Sequence, residues 1–483
     1  MNHFKVFTKY AAGSFLALIV GFLATTILTR LIPKEEMGKY SLFITVGGLV
    51  ASFAYLGLDQ SYVRFYFDEA EGARRNLLRR CLFLPVLVTA GVSGLLLLGS
   101  GIFSEYVIGE SSFLLTLLFC AYLLGLVLDR FILMELRMEQ QASAYSALNI
   151  IRKALYLLLA VMMYLSLTGE LSWSLTIPVT IAEFAVIAGA LLVRKRKSRE
   201  KTEACGTSLR QLLIYGYPFI FSTTITILFH STDKFMLKGL TDYSEVGLYT
   251  GAQNIVNLIS QVQTVFSTFW VPVAFEHFSK KPEDKDFYIR VNKIVSCGML
   301  LIFVLILAMK DVIIYFLGSD YREASYIFPF LAFMPIMYTV SETTVLGINF
   351  MKKSGYHVWI SLACAIANLI GNYFLIRAYG AVGAAVSTGI AYILFFALRT
   401  ILAGKVYPVK YDTLRFVIAF LPVAGLALLA SFFPVTWWYL GLAALATVWV
   451  AGLYRETIAW CLGRFRTSLR NRKKKAEKTE KSC

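Results

Sequence analysis

Glu36-Met37-Gly38-Lys39-Tyr40-Ser41 is echoed 209 positions later by Glu245-Val246-Gly247-Leu248-Tyr249-Thr250. Just upstream of each copy an apolar run ends, in Leu28-Thr29-Arg30-Leu31 and in Leu237-Lys238-Gly239-Leu240. An apolar helix, a polar turn carrying Glu-x-Gly-x-Tyr and a second apolar helix therefore occur twice. A repeat of this length decides the fold before any other signal does. Two equivalent halves are the plan of many membrane carriers.

Composition agrees. The 483 residues are 58% hydrophobic and 16% charged, where soluble domains are about 45–50% apolar and about 25% charged. The apolar excess falls in runs of about 20 residues, the length that crosses a bilayer core. We place fourteen spans, near 10–30, 41–63, 81–101, 112–129, 153–169, 171–193, 212–237, 246–272, 294–316, 325–350, 357–377, 381–402, 414–432 and 436–454. The first continues without a small-residue cleavage site, so it should stay in the protein. The seven cysteines are scattered, mostly inside apolar runs, without metal or redox spacing. They read as small buried hydrophobes.

A net charge of +17 raises the question of nucleic acid, and the distribution of the charge answers it. With an even number of spans, all but eight of the 47 lysines and arginines lie on the side of the termini. The eight are Arg30, Lys34, Lys39, Lys234, Lys238, Lys310, Arg322 and Arg377. That asymmetry is the positive-inside rule, so both termini are expected in the cytoplasm and no nucleic-acid partner is implied. The loops are short and leave no room for an extramembrane domain of about 50 residues. The basic run Arg470-Asn471-Arg472-Lys473-Lys474-Lys475 reads as a topogenic tail with some attraction to anionic membrane lipids.

Because the repeat interval holds an even number of spans, the halves run in the same direction, related by an axis along the membrane normal. The expected fold is an all-α polytopic membrane protein of about fourteen helices. Residues 1–193 form one six-helix bundle, 194–211 a cytoplasmic linker and 212–403 a second bundle. Two further helices follow in 404–460, and a basic cytoplasmic tail in 461–483.

Ionisable groups inside spans cost free energy and usually face a partner or a water-filled path. His230 and Asp233, with Lys234 beside them, share a face of the seventh span at i, i+3. They are candidates for coupling to H⁺ or Na⁺, with local charge balance as the plainer alternative. Glu183 in the sixth span and Glu342 in the tenth belong to the same candidate group, as does Asp59 at the end of the second. Arg30, Arg64, Arg152 and Lys153 supply cations at several depths and suit an anionic group such as a pyrophosphate. Positive-inside anchoring is the alternative for the last three. Asn368, Gly371, Asn372 and Gly380 to Gly389 read first as close helix packing. No nucleotide loop, catalytic triad or metal motif is present, and no cofactor is expected.

Four stretches in chain order resemble one family. Thr29-Arg30-Leu31-Ile32-Pro33-Lys34-Glu35-Glu36-Met37-Gly38-Lys39-Tyr40-Ser41 is similar to the first-loop signature of the bacterial polysaccharide-export (Wzx-type) flippases, within the multidrug/oligosaccharidyl-lipid/polysaccharide exporter superfamily. Gly57-Leu58-Asp59-Gln60-Ser61-Tyr62-Val63-Arg64-Phe65-Tyr66 resembles the end of the family's second helix. Asp233-Lys234-Phe235-Met236-Leu237 with the second repeat copy resembles its seventh helix and loop, and Asn368, Asn372 and Tyr379 to Ala385 its eleventh-to-twelfth turn. The resemblance implies paired bundles around a central cavity, as in MATE exporters and lipid II flippases. It also implies a polyprenyl-pyrophosphate oligosaccharide carried across the bacterial cell membrane by alternating access. Arg30, Asp59, Arg64 and Asp233 are the residues it carries over. A glycan polymerase and glycosyltransferases are the implied protein partners. A drug/cation antiporter and a lipid II flippase are the competing transport readings. A glycan polymerase is the enzymatic one, disfavoured because it commonly needs a large outer loop.

Overall fold

The computed structural model describes residues 19–139, 141–166, 173–195, 205–351, 353 and 355–464. Among these residues every regular element is helical. In chain order they are α1 (Ile19–Leu31), α2 (Lys34–Ala54), α3 (Leu58–Phe65), α4 (Arg74–Leu98), α5 (Ser100–Ile108), α6 (Phe113–Met138), α7 (Ala142–Ser166) and α8 (Trp173–Lys195). Then come α9 (Leu209–Leu240), α10 (Tyr243–Lys280), α11 (Lys285–Ala308), α12 (Lys310–Tyr315), α13 (Ala324–Leu331), α14 (Phe333–Thr344) and α15 (Leu346–Phe350). The last are α16 (Gly355–Val406), α17 (Thr413–Ala430) and α18 (Trp437–Leu453), followed by α19 (Arg455–Arg464), bent by 75° from α18. Among the described residues ten helices are long and apolar enough to cross a membrane. The protein is a multi-pass membrane protein. Five of its cysteines are buried free thiols and Cys461 is a partly buried one.

Many helices run past the apolar windows that announced them. The expected span 112–129 continues as α6 to Met138, and 153–169 begins eleven residues earlier at Ala142. The expected spans 357–377 and 381–402 are two helical segments, together labelled α16, that meet at a kink at Gly380 with φ 53°. Only glycine takes that left-handed conformation at no steric cost.

The chain divides into two compact units. The first holds Met1–Leu258 with Phe316–Glu323 and Asn372–Ala384. Within it the two copies of the repeated turn pack on each other. A Cβ at Gly38 would lie 1.9 Å from the carbonyl oxygen of Tyr243, and one at Gly247 would lie 1.8 Å from that of Lys34. The contact is reciprocal, since Lys34 and Tyr243 are themselves repeat counterparts. Thr250 Oγ1 donates to the hydroxyl of its own counterpart Ser41 at 2.7 Å. A group bonded to its own copy sits on the relating axis, as in an isologous interface.

The motif's glutamate has a structural task as well. Glu245 accepts the backbone N–H of Ala381 at 2.6 Å, immediately after the Gly380 break. A carboxylate there meets the positive end of the helix segment that starts at Ala381.

The region around α3 in this unit is held by the end of the linker and the start of α9. Ser61 Oγ donates to the Leu212 carbonyl at 2.7 Å, and a Cβ at Gly57 would lie 1.9 Å from the Gly216 oxygen. In the α3–α4 loop, Glu69 accepts from Cys205 Sγ (3.3 Å), Gly206 N–H (3.1 Å), Thr207 N–H (2.7 Å) and Thr207 Oγ1 (2.5 Å). Burial alone would raise the Glu69 carboxyl, but these donors outweigh it and hold it down at about 2, from an ordinary 4.5. A carboxyl lowered on folding contributes stability that is complete above its unfolded value. That contribution is lost as pH falls from about 4.5 to about 2. Removing the acceptor with Glu69→Ala should expose Cys205. Each bond to a carboxylate is worth about 1.5–3 kcal/mol, so the rate of maleimide labelling at Cys205, as the only cysteine, should rise about tenfold or more. An unchanged rate would show that the loop is held elsewhere.

The second unit comprises Ile259–Tyr315, Ala324–Gly371 and Ala385–Cys483. Trp270, Tyr288, Leu346 and Phe350 centre an aromatic core beneath Phe278 and Tyr407. Fully buried Lys310 pairs with Asp311 at 2.9 Å over the Tyr326 ring. Asp311 also accepts the Val435 N–H at 2.7 Å, tying the α17–α18 connection to α12.

Candidate functional site

Three buried polar clusters lie among the described helices, and each holds at least one residue singled out from the sequence. The first is in the first unit. Arg152 lies about 15 Å along α7 from Ala142, rather than at a helix mouth. Its guanidinium meets Asp129 of α6 and Glu183 of α8, each at 3.1 Å. Gly125, one turn before Asp129, makes room for Glu183, whose Cβ would be 3.3 Å from a Cβ at that glycine. Beside this triad Asp59 pairs with Arg130 at 2.8 Å and accepts from Gln60 at 3.0 Å. Asp129 and Arg130 were absent from the sequence candidates because the apolar window ends at 129.

The second cluster is also in the first unit. Asp233 of α9 is 4% exposed. It accepts from Asn372 Nδ2 at 2.7 Å and from the Tyr249 hydroxyl. Tyr249 belongs to the repeated motif, and here the halves differ. Its counterpart Tyr40 stacks on Tyr156, with centroids 5.7 Å apart, and the counterpart of Asp233 is Ala24. Lys234 is half-buried beside Asp233. The side chain of His230 lies outside the described residues.

The third cluster is in the second unit. Glu342 of α14 accepts from Arg399 of α16 at 2.7 Å, and Arg399 also donates to Ser341 Oγ at 2.6 Å. The guanidinium lies 4.8 Å from the centroids of both Tyr338 and Phe395. Both charges are buried, at 7% and 5% exposure. Arg399 was not a sequence candidate. It lies near the end of the expected span 381–402.

The remaining candidates are more open. Arg30 is exposed at the end of α1, Arg64 pairs with Asp68 at 2.7 Å while half-exposed, and exposed Lys153 reaches towards Gly21 of α1. Asn368, Ser387 and Gly371 pack closely: a Cβ at Gly371 would be 2.4 Å from Ser387 Oγ, and the Asn368 amide donates to Thr388 at 3.2 Å. Between α17 and α18 runs a groove of about 950 Å³, lined by apolar side chains including Leu426, Leu429, Leu442, Leu445 and Trp449. No group of three potential ligands placed to hold a metal occurs among the described residues.

The site and fold together define a multi-pass helical membrane protein with ionic clusters inside its helices. Residues 7–278 match the family described as polysaccharide biosynthesis protein, and the chain belongs to that family. It is 29% identical over 164 residues to a probable low-salt glycan biosynthesis flippase of Haloferax volcanii, an alignment covering 33% of this chain and 34% of that protein. The chain thus spans about a third of the length of that relative. An uncharacterised membrane protein of Methanocaldococcus jannaschii is 20% identical, over 84% of this chain and 85% of its own length. Among solved structures, the lipid II flippase MurJ in an inward closed conformation is similar in fold, with a TM-score of 0.69 at 15% identity over 93% of this chain and 99% of that one. An inward-facing multidrug resistance MATE transporter of the MOP superfamily matches with a TM-score of 0.57 at 13% identity, over 80% and 94%. The chain shares the helical fold of these two transporters.

Proposed function

We propose that the protein moves a polyprenyl-pyrophosphate-linked oligosaccharide from the inner to the outer leaflet of a bacterial cell membrane, for surface polysaccharide synthesis. Membership of the polysaccharide biosynthesis family carries this reading. Two bundles, residues 1–193 and 212–403 joined by 194–211, would rock to expose the bound headgroup to each side in turn. Both termini would be cytoplasmic. The apolar α17–α18 groove suits a hydrocarbon chain, because no polar lining competes for sugar hydroxyls. Arg30, Arg64 and Lys153 are the cations with open surface to meet a pyrophosphate. Arg152 already faces two carboxylates, so its place is with Glu183 in coupling.

Asp233 would respond to a coupling H⁺ or Na⁺ through Tyr249 and Asn372. Glu342 would keep Arg399 in place. Glycosyltransferases and a glycan polymerase would act before and after the transport step. Asp233→Asn is therefore expected to abolish glycan export while protein level and membrane insertion stay as in the wild type. Normal export by that variant would remove Asp233 from the mechanism. Loss of dye efflux with intact glycan export would favour a drug antiporter instead.

A further inference from the structure

The triad in the first unit does not balance its charge. Asp129 and Glu183 are buried at 7% and 4% exposure and face one guanidinium, that of Arg152. Arg130, which also lies close enough to act on Asp129, is matched by the neighbouring Asp59 at 2.8 Å, so the five groups together still carry one excess negative charge. Lys153 follows Arg152 in sequence but turns to another side of α7, exposed and directed at α1. Among the described residues, the phenols Tyr40, Tyr55 and Tyr122, from α2, its end and α6, also lie near Glu183. Phenols are neutral near pH 7. From α7, Asn149 adds a neutral amide at 3.4 Å from Arg152. With both carboxyls ionised, a net negative charge would sit among packed helices, where an uncompensated ion costs several kcal/mol.

We propose that Asp129 and Glu183 form a proton-binding site, sharing one proton in the resting protein and releasing it when the cluster gains access to water. The proton adds to one carboxylate oxygen, the cluster charge goes from −1 to zero, and no other bond changes. Arg152 positions the two carboxyls and keeps the second one ionised. Both acids bridge neighbouring helices through it, so loss of the proton leaves α6 and α8 competing for a single cation. This assignment rests on the reading of the chain as an ion-coupled carrier and names H⁺ as its ion in this half.

The test uses the purified full chain without substrate, so failed glycan transport and a failed proton site remain distinguishable. A hydrophobic carbodiimide adds to a protonated carboxyl and rearranges to a stable N-acylurea, which mass spectrometry locates. In the wild type near neutral pH we expect one label per cluster, on Asp129 or Glu183, fading as pH rises. In Asp129→Asn the remaining Glu183 balances Arg152 one to one, so its label should disappear; Glu183→Gln should likewise silence Asp129. If either variant fails to fold, the other and the wild-type pH series decide. Absence of label on both residues of the wild type at every pH would overturn the proposal. So would a label that persists unchanged in the single variants.

Discussion

Arg399→Ala is expected to destabilise the protein by about 3–5 kcal/mol, the usual cost of leaving a buried charge without its partner. Glu342 would lose the 2.7 Å bond that satisfies it, and Ser341 would lose its donor. The guanidinium also packs beside the stacked rings of Tyr338 and Phe395, so alanine would remove packing together with charge. Thermal unfolding in detergent checks the size of the effect. Removing both charges, as Arg399→Met with Glu342→Gln, should recover much of the loss, because no unpaired ion remains. The double-mutant cycle should then show a coupling well above the few tenths of a kcal/mol of independent sites. Additive losses would mean that the pair does not act as a unit.

A single methyl at Gly38 should produce the second largest effect. Its Cβ would fall 1.9 Å from a backbone oxygen of the other repeat copy, and backbone cannot rotate aside as a flexible side chain can. Overpacking of this kind costs about 1–3 kcal/mol or more, so Gly38→Ala should lower the melting temperature clearly and Gly38→Val should prevent stable folding. Gly48, in the same helix, has nothing within 4 Å of its Cβ position. There alanine should be neutral or stabilising by up to about 1 kcal/mol, from helix propensity. Opposite signs for one substitution at two positions of α2 isolate the packing of the repeat from helix propensity. Equal effects would contradict the repeat-to-repeat contact.

The Gly38–Gly247 echo was readable because a close backbone approach demands the same residue types wherever it recurs. While the residues themselves read first as close helix packing, the turn at Gly380 was readable through the family resemblance of Tyr379 to Ala385. The ionic partners were not, and one cause covers them all. Hydropathy windows stop at charges, so Asp129 and Arg152 each looked like the edge of a span, and Arg399 lay three residues from the end of one. The helices continue past them, to Met138 in α6, back to Ala142 in α7 and on to Val406 in α16. A charge that finds its counter-charge on a neighbouring helix can stay inside, and that neighbour is distant in sequence. Asp233 stood out from the sequence alone, but its partners Tyr249 and Asn372 emerge only when α9, α10 and α16 are packed. Arg152 shows the same limit from the other side: its residue type suited a phosphate, while its surroundings supply two carboxylates.

The asymmetry between halves now has a chemical form. The first half carries an Arg between two acids, and the second a one-to-one Glu–Arg pair; the Asp on α9 has no acidic counterpart on α1. Equivalent scaffolds thus carry unequal charges, and in the proposed mechanism each half would answer to an ion through its own acids. The most direct measurement of the central claim is the sidedness of lipid-linked sugar in cells lacking this protein. The account predicts that a polyprenyl-pyrophosphate oligosaccharide accumulates in the inner leaflet, shielded from a sugar-modifying enzyme added outside. Wild-type protein should relieve this and Asp233→Asn should not. A deletion strain with no lipid-linked sugar trapped inside, and normal surface glycan, would contradict it.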